Sequence, residues 1–297
     1  MTPSLSLNPL SDVQELVRFQ FMVNALWAGT IVAVLAAVAG YMMILRRQAF
    51  AGHSLAVMAF PGATGAALVG LPTTLGYYLA CGAAALAMAA GRMPGRRVSS
   101  ETATIGTVQT VGLAAGFLFL SLNAQLLGGP ESLLFGTFLG ITSGQVLGLG
   151  LVAAACLVTM AAMGRPLLFS SVDAVGARAA GAPVRLLDLG FVLILGLAVA
   201  ATSQITGALL VFALLVAPPA TAQLLTARPL PGLVLSVLLA LAIVWLSLAL
   251  AYYSPYPVGF YVSSLGFGLY LLVRAQRAMR GVRGRRPRHS TPGTVIG

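Results

Sequence analysis

The sequence predicts an all-α polytopic transmembrane bundle of about eight or nine spans, on three observations. Hydrophobic residues make up 59 % of the 297 residues and charged residues 8 %, against roughly 25 % charged in an ordinary soluble domain. So few charges cannot cover the water-facing surface of a soluble protein this long. The hydrophobic residues fall in runs close to the ~20 residues that cross a bilayer as a helix. Finally, the 17 basic residues are all Arg, and apart from Arg18 they fall in every second gap between the runs. That one-sided placement is the positive-inside pattern, which predicts orientation as well as class.

In order, the runs are 21–45, 55–70, 73–91, 103–122, 141–163, 188–204, 207–226, 232–252 and 258–273. Nine spans place the segment 1–20 outside the cell and a basic, disordered tail, 274–297, inside, with the transmembrane body 21–273 in the plasma membrane. The gaps 46–54, 92–102, 164–187 and 227–231 are then cytoplasmic and hold Arg46-Arg47, Arg92, Arg96-Arg97, Arg165, Arg178, Arg185 and Arg228. The outer gaps, among them 123–140 with Glu131, carry almost no positive charge. The first twenty residues lack a basic start leading into a short apolar run, so no signal peptide is read and the first span is expected to direct its own insertion.

Two runs contain breakers. The run 55–70 is short and carries Pro61 among glycines, which reads as a broken or re-entrant helix of the kind that lines transport pathways. If it fails to span, the count falls to eight and the N-terminus moves inside. Pro218-Pro219 in the run 207–226 is expected to break the hydrogen-bond ladder near the cytoplasmic end. Gly136, Gly140, Gly144 and Gly148 recur every fourth residue, as do Gly112 and Gly116. That spacing makes a ridge for close helix approach, either within the protomer or against another subunit.

The segment 164–187 is the longest internal gap. Asp173 is placed to cap a short Ala-rich helix that Gly181 and Pro183 close. Such a helix on the cytoplasmic face reads as a capped linker or as a docking element for a soluble partner. The net charge of +11 is explained by topology, with attraction to anionic lipid secondary. Nucleic acid is not an expected partner, because no aromatic residues interleave with the charge of the tail.

Several chemistries are excluded. Without Lys there is no GxxxxGK[ST] phosphate loop, so any ATP hydrolysis belongs to another subunit. The carboxylates are Asp12, Glu15, Glu101, Glu131, Asp173 and Asp188, at span ends or in gaps. A carrier built on a mid-membrane Asp or Glu is therefore not expected. Cys81 and Cys156 lie in different apolar runs and form no disulfide framework. No nucleophile–base pair suggests an enzyme, and no cofactor is expected to be bound by this chain. Of the two histidines, His289 is in the tail, whereas His53 stands where the second run begins, as a metal ligand or as a helix-end hydrogen-bonding group. Asn24, Gln109, Thr110, Ser203, Gln204 and Thr221 are polar residues within spans, fit either to line a pathway or to bond helix to helix.

Five blocks in order carry a resemblance. They are Leu45-Arg46-Arg47 through Gly52, Leu55 and Pro61-Gly62; Ser100-Glu101-Thr102 with Ile105-Gly106; Leu133-Leu134-Phe135-Gly136 with Leu139-Gly140; Asp173, Ala177 and Gly181; and Gly207, Leu209-Leu210-Val211, Leu214-Leu215-Val216 and Pro219-Ala220-Thr221-Ala222. Over roughly residues 40–225 the chain resembles the membrane permease subunit of the ABC-type importers of zinc, manganese and iron(II).

The resemblance implies a homodimeric permease, a cytoplasmic ATP-binding subunit that uses ATP and magnesium, and an extracytoplasmic solute-binding protein that delivers zinc or manganese. It also implies that Asp173, Ala177 and Gly181, with Arg178 and Arg185 around them, contact the ATPase, and that His53 is the metal-ligand candidate. In the family's Gly-Asp-Ala-x-Ser-His stretch, the Asp position is His53 here and the His position is Val57. One potential ligand remains, and imidazole suits zinc better than manganese. A permease for a metal chelate or small organic molecule, and a membrane scaffold without transport, are the competing readings.

Overall fold

In the computed structural model, residues 18–91, 98–123, 133–134, 136, 140–208 and 210–284 are described. Among them are ten helices: α1 (Gln20–Leu45), α2 (Ala49–Leu68), α3 (Thr73–Gly91), α4 (Val98–Leu122), α5 (Ser143–Val172), α6 (Ala174–Ala179), α7 (Val184–Thr206), α8 (Leu210–Leu225), α9 (Pro229–Tyr252) and α10 (Val258–Gly284). Helices are the expected solution for apolar runs in lipid, where each backbone N–H and C=O must be satisfied within its own segment. Seven are long and apolar enough to cross a membrane: α1, α3, α4, α5, α7, α9 and α10. The nine predicted runs correspond one to one with the nine helices other than α6.

Local chemistry sets several of the boundaries. Thr142 opens α5 with a capping box: its hydroxyl accepts from the Gln145 N–H, and the Gln145 side chain accepts from the Thr142 N–H. Such a box satisfies two otherwise orphan donors. Pro229 opens α9 at a position where no N–H is needed. Gly207, at φ 76°, ends α7; there its Cα lies against the Leu134 carbonyl with no room for a Cβ.

Helix contacts fix which ends lie together. The Arg46 side chain at the end of α1 reaches the last turn of α5 and the start of α7. At the other end, Asn24 near the start of α1 donates to the Ile141 carbonyl before α5, 3.0 Å away. Thr73, Gly140 and Gln204 line one cavity at that same end. Since α2 leads from the Arg46 end to Thr73, it traverses the bundle. The description of 55–70 as broken or re-entrant is therefore corrected: α2 is one continuous helix through Pro61.

The expected break at Pro218-Pro219 is corrected as well, because α8 runs unbroken from Leu210 to Leu225. A proline at 219 frees the carbonyl of Leu215, four residues earlier. That carbonyl packs against the Cα of Gly40 on α1, a contact that any Cβ would obstruct. A Cα–H···O contact of this kind partly compensates the lost ladder bond.

Hydropathy also placed two helix ends too early. Helix α5 continues through Arg165-Pro166 to Val172, and α10 continues past 273 to Gly284. An arginine ends an apolar run without ending a helix, because it can extend its head group to water. The tail expected to be disordered from 274 is thus helical as far as Gly284. Residues 1–17, 92–97, 124–132 and 285–297, with Asp12, Glu15, Arg92, Arg96, Arg97, Glu131 and His289, lie outside the described residues.

The core lies around α1, α2 and α7. Helix α1 packs on α9, α8, α5 and α7, while α7 packs on α3, α5 and α2. Helices α2 and α3 approach backbone to backbone where Gly62 and Gly76 face each other, each leaving no room for a Cβ on the other. Gly112 and Gly116 of α4 seat Met58 and Phe60 of α2. That ridge serves packing within the protomer. Gly140, Gly144 and Gly148 instead face open space.

Candidate permeation and coupling sites

His53 lies in the second turn of α2, half-buried, with its ring 4.7 Å from that of Phe212 on α8 in an edge-to-face contact. Its Nδ1 is buried and has no hydrogen-bond partner. No cluster of three His, Cys, Asp or Glu side chains occurs among the described residues. A cation held at His53 would therefore draw its other ligands from water and backbone oxygen. One source is close in sequence: Pro61 has no N–H, so the Val57 carbonyl lacks the ladder donor that residue 61 would otherwise supply.

The polar span residues do not gather into one site. Gln109 reaches the turn of α2 that holds His53, where its Oε1 accepts from Ser54 Oγ at 2.9 Å. Ser54 Oγ also lies 3.0 Å from the Phe50 carbonyl, so the hydroxyl has two acceptors to choose between. Asn24 bonds at both ends of its amide: besides donating to Ile141, it accepts from Gln20 at 3.2 Å and from Ser143 at 3.4 Å. It staples α1 to the start of α5. Thr110 and Thr221 donate to carbonyls four residues back on their own helices. Ser203 is fully buried with an unpartnered Oγ. Gln204 lines a polar cavity of about 90 Å³ with Thr73, Thr74, Tyr77 and Gln145, at the end away from Arg46.

The short helix α6 is built as the residues predict. Asp173 Oδ1 accepts from the N–H groups of Val175 (3.1 Å) and Gly176 (2.8 Å). Gly181 (φ 80°) closes the helix, with its own N–H bonded to the Arg178 carbonyl and the next N–H, of Ala182, to that of Ala177. Ala177 is fully buried and anchors α6 to the bundle, whereas Arg178 and Arg185 are exposed. Val172 and Val175 flank the cap at 75 % and 77 % exposure, forming an apolar knob one helical turn from Arg178.

Two features here were missed in the sequence. Gly176 leaves the space that the Asp173 carboxylate fills, where a Cβ would collide with it; its place three residues after a capping Asp was the available signal. The other is the environment of Arg46. Its guanidinium pairs with Asp188 of α7, donates to Ser171 Oγ (2.9 Å), Ser170 Oγ (3.2 Å) and the Leu167 carbonyl (3.4 Å), and lies 5.3 Å from the Phe191 ring. No local pattern announces contacts between residues so far apart in the chain.

The ABC 3 transport family model matches residues 18–277. The chain is 34 % identical over 212 residues to the "chelated iron transport system membrane protein YfeC" of Yersinia pestis, covering 71 % of each chain. It is 30 % identical over 217 residues to the "manganese transport system membrane protein MntC" of Halalkalibacterium halodurans, covering 72 % of this chain and 73 % of the other. Among solved structures, PsaBC from Streptococcus pneumoniae in complex with Fab superposes with a TM-score of 0.80 at 24 % identity, over 92 % of this chain and 99 % of that one. That likeness supports the fold, and the sequence match covers nearly all of the described helices: the chain belongs to the ABC 3 transport family.

Proposed function

We propose that this chain is the membrane-spanning permease subunit of an ATP-driven importer for a divalent metal ion. The observation that carries the reading is the family match across 18–277, joined to a capped helix, α6, that presents Val175 and Arg178 at one end of the bundle, flanked by Val172 of α5 and Arg185 of α7. In this reading α6 docks on a separate ATP-binding subunit, which hydrolyses ATP with magnesium. Two copies of the chain form the pathway, and an extracytoplasmic binding protein delivers the ion. The Arg-rich end, with the end of α10, faces the cytoplasm, as the positive-inside pattern requires.

His53 is the proposed pathway ligand. Its buried, unpartnered Nδ1 gives one nitrogen donor, and Gln109 stands one residue away through Ser54. A single imidazole with water and carbonyl oxygens suits a transported ion, which must be released as readily as it is bound. Manganese and iron take precedence as cargo, since relatives bear those names, and zinc remains in the test because imidazole favours it. Asn24, Ser203, Gln204 and Thr221 are assigned to helix packing or to the outer cavity rather than to metal binding.

A chelate as cargo is the second reading. It is favoured by the lack of a three-residue ligand cluster among the described residues. Vesicles carrying the complex are offered free manganese, free iron(II), free zinc and chelated iron in competition. The metal-ion reading expects free ions to be taken up and His53→Ala to reduce their uptake. Uptake of the chelate alone, unaffected by His53→Ala, would replace it with the second reading.

A further inference from the structure

We infer that Arg46 is a positioning residue that ties the ATPase-docking hairpin to the His53 segment, so that the two move as one body. The inference rests on the function proposed above and adds to it a residue and a route. Helix α6 hangs between two legs, the last turn of α5 and the first turns of α7. Arg46 holds both legs at once: Ser170, Ser171 and the Leu167 carbonyl on α5, and Asp188 on α7. Phe191 of α7 lies beneath the guanidinium. A planar, five-donor fork can satisfy this divergent set, whereas a lysine ammonium is a single point of charge.

The other side of Arg46 leads directly to the pathway candidate. It occupies the turn between α1 and α2, which is closed by bonds from Arg46 N to Met42 O, Arg47 N to Ile44 O and Gln48 N to Met43 O, each 2.9 Å. Arg47, at φ 56°, turns the chain into α2. Met43 of α1 packs against Gly52, the residue before His53, in space that a Cβ at 52 would occupy. The end of α1 and the His53 turn of α2 are thus locked together, and the guanidinium locks them to the hairpin.

Burial gives the pair its rigidity. The Arg46 side chain is 6 % exposed and that of Asp188 34 %. A charge this sheltered is held firmly by its counter-ion and is costly to strand. Arg47 beside it is exposed, so only one residue of the double Arg has this role.

The test uses the permease reconstituted with its ATPase subunit and binding protein, reading metal uptake and ATP hydrolysis together. Wild-type vesicles come first: failure of ATP-dependent metal uptake there would overturn the proposed function, not this inference. Given wild-type uptake, Asp188→Ala removes the α7 branch, the double change Ser170→Ala with Ser171→Ala leaves only the Leu167 carbonyl of the α5 branch, and Arg46→Gln removes both. The inference expects each branch variant to assemble and hydrolyse ATP while metal moved per ATP falls, by about tenfold for Arg46→Gln, within the usual range of coupling between sites. If Arg46→Gln does not assemble, the branch variants carry the reading. A purely structural clamp would lower uptake and hydrolysis in parallel, and an unchanged ratio in the branch variants refutes the inference. Spin labels at Ala179 of α6 and Phe50 of α2 supply an independent readout. Their separation should stay constant through the ATP cycle in the wild type and change in Asp188→Ala.

Discussion

Replacing Asp173 with alanine removes both side-chain hydrogen bonds at the start of α6, to Val175 N and Gly176 N. Loss of an N-cap costs about 0.5–2 kcal/mol, centred near ~1. With about 1.4 kcal/mol per factor of ten, that is roughly fivefold at the centre and up to roughly 30-fold at the extreme. The helix has six residues and so has little ladder of its own to absorb the loss. Its remaining supports are buried Ala177 and the left-handed Gly181. If the ATPase subunit binds only the helical form, its apparent affinity falls with the helical fraction. Titrating detergent-solubilised permease with the purified ATPase subunit should therefore show Asp173→Ala weakened by up to about fivefold, the limit for a helix only partly formed before binding. Asp173→Asn, which keeps the capping oxygen, should stay near the wild type. Equal damage from Asn and Ala would mean that the carboxylate charge touches the partner directly. No effect from Ala would mean that α6 keeps its helical form without the cap or is not the docking element.

Three other outcomes follow from the packing. Gly62→Ala should lower the thermal midpoint of the purified protein, because its Cβ meets the Gly76 carbonyl and no rotamer relieves a backbone clash; Gly148→Ala, in open space within α5, should not lower it and by helix propensity should raise it. His53→Asp should shift uptake preference from zinc toward manganese, since a hard oxygen replaces imidazole; competition between the two ions in one vesicle preparation reads the shift. Cys81 is fully buried and Cys156 nearly so, so a maleimide reagent should label neither in folded protein and both after denaturation.

The succession of apolar helices and the pairing of their ends were legible in the sequence, because hydropathy and arginine placement both report on the bilayer, whereas the count of eight or nine spans compares with seven helices long and apolar enough to cross it. Helix ends were not. Arg165 and Arg274 mark where the chain leaves lipid, yet α5 and α10 continue beyond them. Prolines 61, 218 and 219 suggested breaks, but both helices run on through them, and the carbonyl freed by Pro219, that of Leu215, packs against Gly40. The α6 cap was readable because it is local: Asp173 and Gly181 act within one short helix. Arg46 with Asp188 was not, since each looked like an ordinary span-end charge until the fold joined them. The polar span residues looked alike in sequence and separate only in three dimensions, with Gln109 beside the His53 turn and Asn24 at the opposite end.

The central claim is that this chain passes a metal ion through the membrane at the expense of ATP hydrolysed by a partner. The most direct measurement is metal accumulation inside sealed vesicles that hold the permease, the ATPase subunit and the binding protein, followed with a metal-sensing dye after ATP is added. Accumulation of manganese or iron(II) that starts with ATP and is abolished by an inactive ATPase subunit is the predicted result. Vesicles that accumulate no metal, or that fill equally without ATP, would contradict it.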